Sequence, residues 1–360
     1  MSASAPFEPG STIGILGGGQ LGRMLALAAA QLGYRCIAYA PDRQSACANV
    51  CADYVIGAWD DPSAMATFAK ACDVVTWEFE NVPVSALALL EGRLAAPPLA
   101  LETAQDRLAE KRFVTSLGGQ TARHAGVAMR ADLMDALDRI GTPGILKTRR
   151  DGYDGKGQWR VRDAREAEGL SLSGGDCVYE ALVEFDAEFS VILVRGRDGD
   201  IRFWDSPQNR HEDGMLATSV LPPHRRVTEQ VEEARELARQ VSDALRYVGV
   251  LTLEFFATPQ GPIFNEMAPR VHNSGHWTIE GAVTSQFENH IRAICGLPLG
   301  DTATRHETIE MRNIVGRAAH QAFGHLADSA AHLHLYGKGT ARNGRKMGHV
   351  TRINVSRQTS

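Results

Sequence analysis

The sequence predicts an α/β unit at the N-terminus, a larger α+β body and a small β-rich C-terminal piece. Three stretches carry that expectation. Residues 11–40 run strand, glycine turn, helix, strand, which is the pattern of a βαβ unit. Residues 176–245 mix short alternating strands with one long polar helix, unlike the N-terminal pattern. Residues 251–267 read as two strands joined by a tight turn. The expected domains are 1–100, 101–297 and 298–360, with Ala95-Ala96-Pro97-Pro98 breaking the pattern at the first boundary.

A chain of 360 residues is long enough for two or three domains. The net charge of −5 does not favour a nucleic-acid partner. The six cysteines have no CxxC and no zinc-type spacing, which points to a reduced, cytoplasmic setting. No basic segment precedes an apolar core at the N-terminus, so no secretion signal is expected. Apolar runs such as 24–30 are too short to cross a bilayer, so no membrane partner is expected.

In the first third, Ser11 to Leu16 reads as a buried strand and Arg23 to Leu32 as a helix ended by Gly33. Between them, Gly17-Gly18-Gly19-Gln20-Leu21-Gly22 fits GxGxxG, and Asp42 lies 20 residues after Gly22. A Rossmann-like domain follows, and a nicotinamide-dependent dehydrogenase is a real competitor. The glycines alone say only that something approaches the backbone closely at a helix N-terminus, where any phosphate is stabilised. Asp73 to Trp77 is another strand, and Glu78-Phe79-Glu80 sits at its C-terminal end, where open α/β sheets bind ligands. Glu78 is therefore expected to meet the same ligand as the glycine turn.

In the middle of the chain, Gln105 to Leu117 reads as a polar helix with Arg107 and Lys111. Gly144 to Lys147 is a strand, and Gly152 to Gln158 a glycine-rich loop before the strand at Trp159. Strand, glycine loop, strand can fold over a triphosphate, with N–H groups and lysines meeting its oxygens. It is not a P-loop, because GxxxxGK[ST] is absent.

The hairpin is the chemically sharpest stretch. A three-residue loop, Pro259-Gln260-Gly261, pairs Thr258 with Pro262 and sets Glu254 opposite Glu266. Two facing carboxylates destabilise a hairpin unless a cation sits between them. A hard divalent ion takes few protein carboxylates and leaves room for phosphate oxygens. The rival reading is two glutamates on a solvated strand face. At the other end, residues 329–360 contain no acidic residue and six basic ones, which reads as a solvated face or a weak nucleic-acid patch.

Taken together, Lys147, the 152–158 loop, Glu180 to Val183, Glu188, Glu254 and Asn265-Glu266 resemble the ATP-grasp carboxylate-amine ligase superfamily. More narrowly, GGGQLGRM at 17–24, WEFENVP at 77–83, DGYDGKGQ at 151–158 and NEMAPRVHNSGHWTIEG at 265–281 resemble the 5-(carboxyamino)imidazole ribonucleotide synthases of purine biosynthesis. The likeness runs from Ile13 to about His349, and one departure is Val271 where that family usually has Pro. The central domain is then expected to be an ATP-grasp domain. The implied reaction joins ATP, bicarbonate and aminoimidazole ribonucleotide, with Mg²⁺ or Mn²⁺, in a homodimer. The resemblance assigns Arg107, Lys147, Gly152, Tyr153, Asp154, Gly155, Lys156, Gly157, Gln158, Glu188, His211, Asn265 and Glu266 to ATP. Adenine is expected against Glu180, Ala181, Leu182 and Val183, and the metal on Glu254 and Glu266. Arg270, His272, Asn273 and Asp154 are the expected catalytic set, the first three as donors for small anions. Gly19, Gln20, Leu21, Glu78, Tyr153, Lys338, Arg345 and Lys346 are expected to hold the ribonucleotide. The alternatives are another ATP-grasp ligase, such as a formate-dependent glycinamide ribonucleotide transformylase or a biotin carboxylase, and the dehydrogenase.

Overall fold

The computed structural model describes residues 5–152, 156–170 and 175–354. The N-terminal unit is a parallel sheet of β1 (Thr12–Leu16), β2 (Arg35–Ala40), β3 (Asp53–Ile56) and β4 (Val74–Trp77), in the order β3-β2-β1-β4. The helix after the glycine turn begins at Gln20, three residues earlier than its composition suggested, with Gly19 as N-cap. Leu21, Met24, Leu25 and Ala28 bury one face of that helix. It packs against the helix Gln286–Cys295, which carries Ile291 and Ile294 into the same core.

A second sheet joins β5 (His124–Val127), β6 (Gly144–Thr148), β7 (Gln158–Val161) and β8 (Cys177–Ala181) in the antiparallel order β5-β8-β6-β7. The third sheet holds nine strands: β9 (Ala187–Arg195), β10 (Ile201–Phe203), β11 (Gln208–Glu212), β12 (Met215–Leu221), β13 (Gly249–Thr258), β14 (Gly261–Ala268), β15 (Ile309–Val315), β16 (Ala331–Leu335) and β17 (Lys346–Ile353). Strand β9 does not alternate between water and core as its sequence suggested. It is buried along nearly its whole length, because the helices Arg225–Ala244 and Gln286–Cys295 both pack on it.

Strands β12 and β15 pair from Thr218↔Arg312 to Leu221↔Ile309, and β15 pairs in turn with β17. The C-terminal strands thus extend the sheet that carries the hairpin, and one framework spans both ends of the site. Val271 is fully buried in the core with Trp277 and Phe287, so an apolar side chain does the packing there. Among the described residues no helix is long and apolar enough to cross a membrane.

Candidate active site

The β13–β14 hairpin does place Glu254 opposite Glu266, but by a different route from the expected one. The loop has two residues, since Thr258 pairs with Gly261. The Thr258 hydroxyl accepts from Gln260 N at 3.2 Å and donates to Gly261 O at 2.9 Å, which closes the turn one residue early. Gly261 takes φ +126°, open to glycine alone at little cost. A bulge at Asn265 then restores the register, so that Phe255 pairs with Phe264 and Glu254 with Glu266.

The two carboxylates sit in unlike surroundings. Burial, with Glu266 opposite, pushes Glu254 up to about 7. Burial opposes ionisation of Glu266 as well, but the Arg107 guanidinium at 2.8 Å overrides it and holds that carboxyl down at about 2. Arg107 also donates to Gly152 O at 3.1 Å, tying the start of the glycine loop to the hairpin. Ser190 donates to Glu254 at 3.3 Å, and His272 Nδ1 lies 3.7 Å from the same oxygen. Among the described residues no group of three or more His, Cys, Asp or Glu side chains converges as a metal cage. Two carboxylates suit a divalent ion that completes its shell with phosphate oxygens and water.

Deeper in, Glu180 accepts from Lys147 at 3.0 Å and lies 3.3 Å from Lys111, all three side chains being buried. Burial works against the Glu180 charge, yet the two lysines hold it below the usual carboxylate range. The other Glu180 oxygen has no partner among the described residues. Glu188 and His211 form a short hydrogen-bonded pair on neighbouring strands. Gln158 pairs with Lys147 across β6 and β7, and Gly157 O accepts from Thr148 N at 2.8 Å. Tyr153, Asp154 and Gly155 lie outside the described residues.

A cavity of about 780 Å³ brings the rest together. Glu254, Glu266, Arg107, Gly152 and Lys156 line one end. Gly19, Gln20, Leu21 and Glu78 line the other, with Lys338, Arg345 and Lys346. Arg270, His272 and Asn273 line the wall as well. Lys147, Glu188 and His211, and the stretch Glu180–Val183, are not on the cavity lining. Arg270 is held by Glu80 at 2.7 Å, and Trp77 Nε1 donates to Pro269 O at 2.7 Å, so the 77–80 run braces the loop after β14. Burial, then Arg270 and Lys346, push His272 well below the usual imidazole range, so its ring is neutral.

Glu78 is where the dehydrogenase reading meets its obstacle. Its carboxylate accepts from Gly19 N at 2.7 Å and Gly22 N at 3.3 Å. Those are the donors that a dinucleotide pyrophosphate uses at this kind of turn. The turn is therefore closed by an acid of the chain itself.

Several supporting residues, Glu110, Asp106 and Gln286 among them, are not among the expected site residues, and Lys111 is expected only as part of a polar helix. Glu110 and Lys111 follow Arg107 at i+3 and i+4, a spacing that puts all three on one helix face and was the available signal. Glu110 accepts from Met267 N at 2.6 Å, and Lys111 donates to Asn265 O at 3.3 Å, so this face clamps the bulged strand. Asp106 caps the same helix and accepts from Arg149 at 2.6 Å. Gln286 accepts from His272 N at 2.9 Å and donates to His272 O at 2.7 Å; nothing local in the sequence marks it.

Comparison with known proteins fits this geometry. Residues 112–287 match the ATP-grasp domain model, 11–105 the ribonucleotide synthetase preATP-grasp domain, and 310–359 the phosphoribosylaminoimidazole carboxylase C-terminal domain. The chain is 49% identical over 353 residues to the N5-carboxyaminoimidazole ribonucleotide synthase of Brucella melitensis, covering 96% of this chain and 97% of that protein. The chain belongs to the N5-carboxyaminoimidazole ribonucleotide synthase family. Solved structures of the family agree. The Thermus thermophilus enzyme superposes with a TM-score of 0.88 at 46% identity, over 95% of this chain and 93% of that one. The Aspergillus clavatus enzyme, solved with ADP and 5-aminoimidazole ribonucleotide, gives 0.86 at 31% identity, over 96% and 94%.

Proposed function

We propose that this chain uses ATP and bicarbonate to carboxylate the exocyclic amine of 5-aminoimidazole ribonucleotide, giving the N5-carboxyamino product, ADP and phosphate. One observation carries the reading: a single cavity joins the opposed carboxylates Glu254 and Glu266 to the basic residues Lys338, Arg345 and Lys346 across the Gly19–Leu21 turn. That is the arrangement needed to bring a triphosphate and a ribonucleotide phosphate to one reaction centre.

The nucleotide lies between the second sheet and the hairpin. Lys147 and Arg107 meet its phosphates, Glu180 to Val183 flank the adenine, and Glu188, paired with His211, takes the ribose hydroxyls. Glu254 and Glu266 hold a divalent ion, which supplies charge neutralisation at the transferring phosphoryl group. Bicarbonate is held by Arg270, whose guanidinium Glu80 orients. Attack of a bicarbonate oxygen on the γ-phosphorus breaks the β–γ bridge and gives ADP and carboxyphosphate. The carboxyl group then passes to the exocyclic amine, with release of phosphate. His272 is neutral and its Nδ1 is engaged with Ser274 at 2.8 Å, so proton exchange with a ligand falls to Nε2. The ribonucleotide phosphate sits among Lys338, Arg345 and Lys346.

The test is phosphate release from ATP with bicarbonate, in the presence and absence of aminoimidazole ribonucleotide. The reading expects strong stimulation by the ribonucleotide and formation of an acid-labile carboxylated product. Stimulation by glycinamide ribonucleotide with formate in its place points to the sister ligase instead.

A further inference from the structure

Asn273 follows His272 at the start of the 3₁₀ turn Asn273–Gly275, and the sequence offers it as an amide donor for a small anion. One of the two protons of that amide is engaged inside the fold. Asn273 Nδ2 donates to Asn313 Oδ1 at 3.0 Å, and Asn313 Nδ2 donates back to Asn273 Oδ1 at 2.7 Å. Asn313 Nδ2 also donates to Leu216 O at 2.7 Å. A backbone carbonyl can only accept, which fixes the orientation of the Asn313 amide and with it that of Asn273. Asn313 itself is not on the cavity lining.

The pair joins two parts of the chain 40 residues apart. One is the turn that carries His272, next to Arg270. The other is β15, where Asn313 stands opposite His349 of β17, the strand that opens with Lys346. Leu216 anchors the pair to β12, the next strand in the sheet. The loop that holds the small-anion donors is thus registered, through one amide pair, on the strands that carry the phosphate-binding end.

We infer that Asn313 is a positioning residue for the small-anion end of the site, acting by orienting the Asn273 amide and the turn that carries His272. The inference rests on the reading of Arg270 and His272 as the bicarbonate site. Removing either amide leaves the other without its partner, and the turn loses its fixed place. A misplacement of about 1 Å near reacting atoms costs roughly 100-fold in turnover efficiency.

The experiment is a double-mutant cycle of Asn273→Ala, Asn313→Ala and both together, with Arg270→Ala as reference. It reads KM for bicarbonate and KM for ATP in ribonucleotide-dependent phosphate release by the whole enzyme. Each single variant is expected to raise the bicarbonate KM ~10-fold or more while the ATP KM stays within ~2-fold, and the double variant to match the worse single, because the two act as a unit. Effects that multiply, or a wild-type bicarbonate KM in Asn313→Ala, overturn the inference. So do equal rises in both KM values, which a merely structural role would give. An unchanged bicarbonate KM in Arg270→Ala overturns the anion-site reading and the inference with it. Multiplying effects beside a damaged Arg270→Ala overturn the inference alone. Should Asn313→Ala fail to fold, Asn313→Ser runs the same cycle and decides it.

Discussion

Glu254 and Glu266 face each other across a hairpin whose loop is one residue shorter than the facing requires, and the bulge at Asn265 makes up the difference. The bulge is pinned from outside, by Lys111 on Asn265 O and Glu110 on Met267 N. A one-residue slip would send one carboxylate to the opposite face of the sheet. The opposition is therefore held by tertiary contacts as well as by the turn. It predicts that Glu266→Gln folds normally and loses ATP turnover. A divalent ion that loses this ligand would forfeit several kcal/mol of phosphate-charge neutralisation, and at about 1.4 kcal/mol per tenfold this is ~100-fold or more in kcat. A well-folded Glu266→Gln variant with wild-type phosphate release would sink the assignment.

Glycine at position 19 is required by Glu78. A Cβ at Gly19 would stand 2.8 Å from Glu78 Oε2, closer than such contacts allow. Gly19→Ala is expected to push Glu78 out of the turn. The KM for aminoimidazole ribonucleotide should then rise by ~10-fold, about the value of one charged hydrogen bond, while the KM for ATP holds. Parallel titrations of the two substrates check the split.

His290 offers a pH test that avoids the cavity. Its ring is fully buried between β4 and β13, with Nε2 at 2.9 Å from Thr76 Oγ1 and Nδ1 accepting from Val250 N at 3.0 Å. Burial pushes it from 6.5 down to about 3. The unfolded chain therefore binds the extra proton first. The contribution of His290 to stability is intact above 6.5 and lost progressively as pH falls from there towards about 3. Between pH 7.5 and 5.0 this amounts to about 2 kcal/mol, at about 1.4 kcal/mol per pH unit below the unfolded-state value. Urea unfolding at both pH values should show a smaller drop for His290→Gln than for the wild type. Equal drops would mean that the ring charges without penalty.

Arg345 separates a substrate site from a solvated basic tail. It is half-buried, donates to Thr340 O at 3.3 Å and lines the same cavity as Gly19 and Glu78. Arg345→Ala is expected to raise the KM for aminoimidazole ribonucleotide by roughly 10- to 100-fold, the equivalent of about 1.5–3 kcal/mol for one charged contact to phosphate. The KM for ATP should change little. No effect on either constant would return the segment to the solvated-face reading.

Much of this site was legible because its chemistry is written in short runs. The glycine turn, the 77–83 run and the facing glutamates each carry a local signal of spacing or turn type. Some of the residues that hold them in place do not. Gln286 meets His272, and Asn313 meets Asn273, only because a sheet and a helix from distant parts of the chain pack together. Burial of β9 on both faces likewise depends on which helices cover it, a fact absent from its own alternation. The loop is one residue shorter than its Pro and Gly pattern suggests, because the Thr258 side chain closes the turn.

The proposed reaction requires that bicarbonate, and not water, attack the γ-phosphate within this cavity. The most direct measurement is turnover with ¹⁸O-labelled bicarbonate, ATP and aminoimidazole ribonucleotide, with the released phosphate read by its ³¹P isotope shift. One labelled oxygen should appear in each phosphate, since the bridging oxygen of carboxyphosphate leaves with phosphorus when the carboxyl group is transferred. Phosphate without label, formed as fast as product, would mean that ATP is hydrolysed by water and that the account of the site is wrong.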